Sequence, residues 1–292
     1  ELDMRLAFDE KPADINLPEF ESLRERSLFA TQAYPPAGTS TMVSMPALIT
    51  GKTIRKPIPI SNDKLLLSFG DSDEQTSWNK VPSVFKKARA LGYNTALTGW
   101  YHPYCRILNE DLTRCTWCEM PMAGNSMGAC FSEMIPNQFR SLFETSLLSP
   151  FGQSLSTIHA VRNHQLLLND SVSIAGDESV GLALFHFQVL HTPYFYDRHT
   201  RRCNLANSPI FGYLDNLVLA DEILGKIRQA IRDRNLSDRT VLLISSDHSY
   251  RLAQALGKKL DRRVPFLLSM PGQEIGISFG KPFNTIITHD LL

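Results

Sequence analysis

The chain has 292 residues, of which 43% are hydrophobic and 21% are charged, a balance typical of a globular protein that buries a large core. Thirty basic side chains match thirty acidic ones, which argues against a broad nucleic-acid-binding surface, so nucleic acid is not an expected partner. The longest apolar run, residues 180–190, is too short to cross a bilayer.

Short apolar runs alternate with amphipathic helical patterns along the chain. The expected elements, in order, are a helix from Pro18, a strand at Lys64–Phe69, a helix through residues 81–92, strands at Asn94–Gly99 and 180–190, a helix through residues 213–235 and a strand at Thr240–Ser246. This alternation predicts an α/β fold with a largely parallel central sheet flanked by helices. We expect one domain over residues 1–292.

Four of the five cysteines lie in one short region: Cys105, Cys115, Cys118 and Cys130. Their spacing lacks the second close pair of a zinc knuckle, and no thioredoxin-like unit surrounds the CxxC at Cys115 and Cys118. Structural disulfides and free thiols both remain open. We expect at least one disulfide, because residues 103–135 resemble a long excursion with little regular structure.

Three hydroxyl side chains, Thr39, Ser40 and Thr41, stand where a helix is expected to begin. Pro46 suits an early turn of that helix, and it replaces the glycine that a phosphate-binding P-loop ending in "TGK" would need. Because the first N–H groups and the positive end of the helix dipole point outward, the hydroxyls mark an anion site. A hydroxyl there either caps the helix or attacks a phosphate or sulfate ester.

Asp247 and His248 follow the apolar strand at Thr240–Ser246. In α/β folds ligands gather at the carboxyl ends of strands, and a carboxylate beside an imidazole is a ready pair of metal ligands. The alternative is that Asp247 caps the next helix and that His248 lies beside it by chance.

Six segments, in the same order, make the chain resemble the alkaline phosphatase superfamily, in its sulfatase-like branch. They are the hydroxyl-rich turn that leads to Thr50-Gly51, "GYNTALTGWYHPYC", "HTPY", "YLDNLVLADEILGKI" with "LSDRTVLLISSDH", "RRVPFLLSMPG" and "ITHDLL". The resemblance implies the family's α/β fold over nearly the whole chain, with a first strand that ends in an acidic metal ligand. We expect most of that strand to precede Glu1, so that the chain is a fragment of a longer protein with a truncated first strand.

The resemblance also implies the residues of a catalytic site. The family's nucleophile lies nine positions before the threonine of Thr-Gly, which selects Thr41, and the matching histidine segments place His102 and His191 at the substrate group. The alternative is that His102 and His191 are buried histidines hydrogen-bonded within the core. The implied ligands of one divalent metal ion (Mn, Mg, Ca or Zn) are Asp247, His248, Thr41 and Glu1.

Three departures from the sulfatase pattern bear on the chemistry. Thr41 stands where sulfatases need Cys or Ser for oxidation to formylglycine, Met45 replaces an arginine, and Trp100 replaces the lysine of the family's "GKWH". Threonine is the nucleophile of the family's phosphodiesterases, phosphoglycerol transferases and phosphoethanolamine transferases. The resemblance therefore implies phosphoryl transfer rather than sulfate hydrolysis.

The expected centre holds one ion rather than two, because Phe187 stands where two-zinc members have an aspartate. His191 and His289 are therefore expected either beside the substrate phosphate or in support of the metal ligands. Glu1 is either the acidic ligand at the end of the first strand or a frayed end of the chain, which would leave the metal site incomplete.

The predicted function is that of a metal-dependent hydrolase or transferase acting on phosphate esters through a covalent Thr41 intermediate. The alternatives are a sulfatase-like binding module without turnover and a sulfuric-ester hydrolase without formylglycine. The expected substrate is a phosphate or sulfate ester, including a lipid head group. The expected location is extracytoplasmic, in the periplasm or tethered to a membrane through a segment before Glu1, with the cytoplasm left open.

Overall fold

The computed structural model describes residues 1–36, 40–61, 63–70, 74–119, 149–204, 212–257 and 259–292. The helices are α1 (Pro18–Arg24), α2 (Thr41–Thr50), α3 (Val84–Ala90), α4 (Tyr104–Ile107), α5 (Ser149–Ala175), α6 (Gly212–Asp233) and α7 (Thr288–Leu291). The strands are β1 (Leu28–Ala30), β2 (Ala33–Tyr34), β3 (Ile54–Ser61), β4 (Lys64–Phe69), β5 (Gln75–Ser77), β6 (Asn94–Tyr101), β7 (Arg114–Glu119), β8 (Val180–His186), β9 (Tyr196–Asp197), β10 (Arg202–Cys203), β11 (Leu242–Ser245), β12 (Phe266–Ser269), β13 (Ile277–Phe279) and β14 (Phe283–Asn284). This element order confirms the predicted α/β class.

Two sheets carry the strands that lead to the site. Strands β7, β6 and β8 form a parallel sheet with β6 in the middle. The other sheet has the order β11-β12-β1-β13, in which β12 runs antiparallel to both neighbours while β1 and β13 are parallel. The parallel arrangement expected at the centre therefore holds for the three-stranded sheet, and the four-stranded sheet is mixed.

Strand β4 was expected in the central sheet and lies elsewhere. It pairs antiparallel with both β3 and β5 in a separate three-stranded sheet. The cause is the short connection from β3, whose Ser61 pairs with Lys64, because a parallel pair needs a much longer crossover. Leu65 and Leu67 still lie in a hydrophobic core, which they share with Trp78.

Helix α6 matches the amphipathic helix expected at residues 213–235. Its buried apolar side chains are Tyr213, Leu217, Leu219, Ile223, Leu224, Ile227 and Ile231. Their spacing follows the period of an α-helix, so one face of the helix packs into the core. None of the described helices combines the length and the apolar character that crossing a membrane requires.

The cysteine-rich region is partly regular, which corrects the expectation for its first half. Helix α4 and strand β7 occupy much of residues 104–119, and β7 pairs in parallel with β6 along its whole length. Cys105 and Cys115 form a disulfide, as expected, while Cys118 is buried and free. Thr39, Cys130 and residues 120–135 of the expected excursion lie outside the described residues.

Candidate functional site

Helix α2 begins at Thr41, and the hydroxyl of this residue does not cap the helix. Thr41 Oγ1 donates to Asp247 Oδ2 at 2.6 Å and lies 3.3 Å from His248 Nε2. Its neighbours in the hydroxyl-rich turn are directed elsewhere, since Ser40 makes no side-chain cap and Ser44 donates to the Ser40 carbonyl. Thr41 is buried, so its hydroxyl is fixed toward the two polar side chains that follow β11.

The segment after β11 presents Asp247 and His248 to Thr41. Ser246 Oγ donates to the His248 carbonyl at 2.8 Å and accepts from the Leu2 amide at 2.9 Å. The His248 ring bonds through Nδ1 to the Ser249 carbonyl at 3.0 Å. Because a carbonyl only accepts, Nδ1 carries the proton, and Nε2 presents a lone pair toward Thr41.

Asp247 is an ionised carboxylate despite its burial. Burial by itself raises the pKa of Asp247, but the imidazoles of His248 and His186 and the hydrogen bond from Thr41 act to lower that pKa. The His248 imidazole is neutral, since burial lowers its pKa more than the neighbouring carboxylates raise it.

Glu1 lies beside this pair, with its carboxylate held by a neighbouring arginine. Its side chain is 8% exposed, and its Oε1 accepts from Arg251 Nε at 3.1 Å and Nη2 at 2.8 Å. The same oxygen lies 4.0 Å from His248 Nε2. The hydroxyl of Tyr213 holds the backbone by donating to the Glu1 carbonyl at 2.9 Å.

Three donor atoms of the site suit a divalent cation. Thr41 Oγ1, Asp247 Oδ2 and His248 Nε2 lie 2.6, 3.3 and 3.5 Å from one another. Oxygen and imidazole nitrogen are ligands that Zn²⁺ and Mn²⁺ accept. No group of three His, Cys, Asp or Glu side chains within the described ranges is placed to hold a metal ion. The site fits an ion by its donor chemistry, with the threonine hydroxyl as the third donor.

His102 lies against the backbone of Thr41 rather than in front of its hydroxyl. Its Nε2 bonds to the Thr41 carbonyl at 3.1 Å, and its ring meets Trp78 edge-on with 5.2 Å between the ring centres. Burial lowers the pKa of His102 to about 3, although the bond to Thr41 raises it. His102 is therefore a neutral histidine that positions Thr41, and the expected role as a phosphoryl ligand or proton donor does not fit this contact.

His191 lies farther out, on the loop between β8 and β9. It is half-buried, its Nδ1 bonds to the Thr192 carbonyl at 2.8 Å, and its ring centre is 5.1 Å from that of Trp100. Asn216 of α6 fastens both ends of this loop: its Nδ2 donates to the Val189 carbonyl, and its Oδ1 accepts from the amides at residues 195 and 196. The loop is thus anchored, with His191 near its middle.

His186 is a site neighbour that sequence reasoning missed. It is the last residue of β8, and the hydroxyl of Tyr104 bonds to its Nδ1 at 2.9 Å. Burial lowers its pKa to about 4, and the charge of Asp247 acts on it in the opposite direction. The strand was expected to run to residue 190, so His186 was placed inside it; the strand ends at His186 instead, at the carboxyl edge where Asp247 was also expected.

His289 does not belong to the site. It packs at the far end of α2, where Gly51 ends the helix with a φ of 66°. A Cβ on Gly51 would lie 2.6 Å from the His289 ring, so the glycine permits this close contact. A helix of ten residues is about 15 Å long. This distance from Thr41 excludes the expected contact with the substrate phosphate.

The model of the sulfatase family matches residues 7–276, most of the chain. The chain belongs to the sulfatase family. No curated protein sequence matches this sulfatase-family chain.

Solved structures share the fold of this sulfatase-family chain at low sequence identity. Ps i-CgsB in complex with k-i-k-neocarrahexaose has a TM-score of 0.63 at 15% identity, covering 96% of this chain and 66% of its own. The lipoteichoic acid synthase LtaP from Listeria monocytogenes has a TM-score of 0.57 at 14% identity, with 98% and 67% covered. A protein in the alkaline phosphatase superfamily from Vibrio parahaemolyticus has a TM-score of 0.54 at 14% identity, with 98% and 61% covered. The chain spans about two thirds of the length of these proteins and shares their fold. The predicted sulfatase-like membership is confirmed by the family model.

Proposed function

We propose that the chain is the catalytic part of a metal-dependent hydrolase or transferase that acts on phosphate esters through a covalent intermediate on Thr41. The observation that carries this proposal is the 2.6 Å hydrogen bond from the Thr41 hydroxyl to Asp247 at the first residue of α2. A buried hydroxyl that meets a carboxylate and an imidazole, at the end of a helix where backbone N–H groups favour anions, has the surroundings of a nucleophile.

The proposed reaction has two displacement steps at phosphorus. In the first, Thr41 Oγ1 forms a bond to phosphorus, the bond from phosphorus to the leaving alcohol oxygen breaks, and the threonine proton is released to solvent. The leaving oxygen takes up a proton, for which His191 is the proposed donor. In the second step, water or another alcohol bonds to phosphorus and gives its proton to His191, the bond from phosphorus to Thr41 Oγ1 breaks, and Thr41 takes up a proton from solvent.

The residues around Thr41 are proposed to position the nucleophile and to bind a metal ion. His102 fixes the Thr41 backbone through its carbonyl, so that the nucleophile keeps its direction. Members of the alkaline phosphatase superfamily typically use a divalent metal ion. The residues proposed to hold one ion (Mn, Mg, Ca or Zn) are Thr41, Asp247, His248 and Glu1. A bound divalent ion supplies positive charge that lowers the pKa of the threonine hydroxyl and neutralises charge on the phosphoryl oxygens.

The proposed substrate is a phosphate ester, including that of a lipid head group. The name of LtaP, a lipoteichoic acid synthase, supports the choice of a lipid-linked phosphate. An extracytoplasmic location is proposed as well, since the disulfide between Cys105 and Cys115 is typical of an oxidising compartment. We also propose that residues 1–292 form one domain of a longer, membrane-tethered protein.

An assay of the full-length protein tests the proposal against its two alternatives. Aryl phosphodiester, aryl phosphate and aryl sulfate are each tested with Mn²⁺, Mg²⁺, Ca²⁺ and Zn²⁺, before and after chelation. Ion-dependent turnover of a phosphate ester is the expected result. Turnover of the sulfate alone would favour a sulfuric-ester hydrolase without formylglycine, and no turnover across the whole panel would favour a binding module.

A further inference from the structure

The backbone at Tyr101 is strained at the point where β6 meets the site. Tyr101 has a φ of 84°, and the His102 amide donates to the Trp100 carbonyl at 3.2 Å. A hydrogen bond between residues two apart closes a γ-turn, and the form with positive φ at its centre is rare and costly for a residue with a Cβ. Strain of this kind persists where the surrounding structure enforces it, and it concentrates at functional sites.

At the γ-turn the side chains of Trp100, Tyr101 and His102 point in different directions near Thr41, the proposed nucleophile. The ring of His102 reaches the carbonyl of Thr41, and the ring of Trp100 packs against His191. Tyr101 lies between them, with its ring centre 5.1 Å from that of His102 and 5.7 Å from that of Trp100. The turn therefore places the phenol ring of Tyr101 next to the histidine that contacts Thr41.

The Tyr101 phenol is available to a ligand. Its side chain is half-buried, and its hydroxyl makes no hydrogen bond within the part of the chain that the structure describes. Burial raises the pKa of Tyr101, and the charges of Arg251 and Asp247 act on it in opposite directions. At neutral pH the hydroxyl is protonated and donates a hydrogen bond.

Arg251 brings a cation to the same place. Its Nε and Nη2 both donate to Glu1 Oε1, while Nη1 has no partner in the described ranges, and the side chain is 44% exposed. A guanidinium has five N–H donors in a fixed plane, so one edge stays free when the other holds a carboxylate. Sulfatases place an arginine two positions after the proline of their turn, where this chain has Met45.

We propose that Tyr101 and Arg251 together form a binding site for a tetrahedral oxyanion and hold the nonbridging oxygens of the phosphoryl or sulfuryl group in front of Thr41. The assignment rests on the proposed function for the position of the reacting group. Arg251 supplies the positive charge from the loop after His248, and Tyr101 supplies a neutral donor from the γ-turn after β6. The two replace the arginine and the lysine of the sulfatase pattern, whose positions are Met45 and Trp100 here.

Calorimetric titration of inorganic phosphate and inorganic sulfate into the full-length protein, saturated with Mn²⁺, tests the assignment without requiring turnover. Tyr101→Phe removes only the hydroxyl. Arg251→Lys keeps the charge but replaces the planar guanidinium N–H donors with a single ammonium group. We expect each variant to raise the Kd of the bound anion by about tenfold, the loss typical of a hydrogen bond to a charged group. Tyr93→Phe and Arg239→Lys are matched controls that change exposed side chains and should bind as the wild type does.

The outcomes separate this inference from the proposed function. Wild-type Kd values in both Tyr101→Phe and Arg251→Lys, or a wild type that binds neither anion, would overturn the oxyanion site even if esters are turned over. Anion binding that depends on both residues, in a protein that turns over no ester, would support the site and contradict the proposed function.

A pair of variants tests the γ-turn itself. Alanine normally stabilises a protein relative to glycine, but at a φ of 84° the order should invert, because only glycine adopts this conformation without strain. We expect Tyr101→Gly to melt at a higher temperature than Tyr101→Ala, with both losing anion affinity. A lower melting temperature for the glycine variant would contradict the strained turn and overturn the assignment of Tyr101.

Discussion

The hydroxyl of Thr41 donates a hydrogen bond of 2.6 Å to the carboxylate of Asp247, a residue 206 positions later in the chain. Both side chains are buried, so bulk water screens the charge of Asp247 only weakly. The nucleophile proposed for this chain and the carboxylate proposed to hold its metal ion thus touch each other.

Asp247→Asn tests the charge of this carboxylate, since the amide keeps the shape and removes the charge. We expect the variant to bind Mn²⁺ at least about tenfold more weakly than the wild type, with ester turnover falling in parallel. Calorimetric titration with Mn²⁺ measures the affinity. Asp290→Asn is the control, because that side chain is 81% exposed and remote from Thr41. Unchanged Mn²⁺ affinity in Asp247→Asn would remove Asp247 from the metal site.

The disulfide between Cys105 and Cys115 should stabilise the segment that follows the γ-turn. It closes a loop with a sequence separation of 10, for which the lost chain entropy of the unfolded state corresponds to about 2–3 kcal/mol. Replacing both cysteines with serine should lower the free energy of unfolding by this amount in urea denaturation. Cys203→Ser, a change at an exposed free thiol, should have little effect. Equal stabilities of the two variants would contradict a native bridge.

The protonation of Asp221 in α6, which bonds to the first turn of α1, should make the free energy of unfolding depend on pH. Its carboxylate oxygens accept from the Phe20 amide at 2.7 Å and the Glu19 amide at 3.2 Å, and burial raises its pKa from 3.8 to about 6 against the lowering effect of these bonds. Because the folded state holds this proton more tightly than the unfolded chain, the favourable contribution is complete below about pH 4 and is lost as the pH rises through about 6.

Asp221→Asn, which cannot titrate, should reveal this contribution. Between pH 4 and pH 7.5, the free energy of unfolding of the wild type should fall by about 2–3 kcal/mol relative to that of Asp221→Asn. Urea denaturation of both proteins at the two pH values measures the difference. Asp238→Asn, at an exposed position, should follow the wild type. A stability difference that stays constant with pH would show that the Asp221 pKa is not raised.

Asn216 should control both the stability and the substrate affinity of the loop that carries His191. Asn216→Ala leaves the Val189 carbonyl and the amides at residues 195 and 196 without partners in a buried place, a loss of about 2–3 kcal/mol in the free energy of unfolding. A looser loop should also raise KM for the ester more than it lowers kcat. Asn109→Ala, at an exposed position, is the control. Wild-type stability and KM in Asn216→Ala would show that the loop does not depend on this side chain.

The start of α2 could be predicted from the local sequence, whereas the meeting of Thr41 with Asp247 and His248 was implied by the resemblance to the sulfatase-like branch. Ser40 is extended, Thr41 is the first helical residue and Gly51 ends the helix, as the hydroxyls and the glycine indicated. The role of His102 could not be predicted in this way. Its contact with the Thr41 carbonyl depends on the γ-turn at Tyr101, for which the sequence carries no glycine or asparagine signal.

Helix α5 escaped prediction for a physical reason. Its buried face includes Asn163, His164 and Ser171, so the apolar stripe that reveals an amphipathic helix is interrupted. A 2.6 Å hydrogen bond between the hydroxyls of Ser171 and Thr98 of β6 offsets the cost of burying these polar groups. Strand β1 was missed as well, because Leu28–Ala30 is too short to show an alternating pattern.

The most direct test of the covalent mechanism is rapid-quench mass spectrometry of the full-length protein during turnover of an aryl phosphodiester, with peptide mapping of the quenched sample. The account predicts a phosphoryl adduct on the peptide that contains Thr41, located at Thr41 itself, formed with Mn²⁺ and absent after chelation. Thr41→Ala should show neither adduct nor turnover while still folding, and Thr41→Ser should retain part of both, since it keeps the oxygen. Full metal-dependent turnover by Thr41→Ala, or an adduct on another residue, would contradict the account.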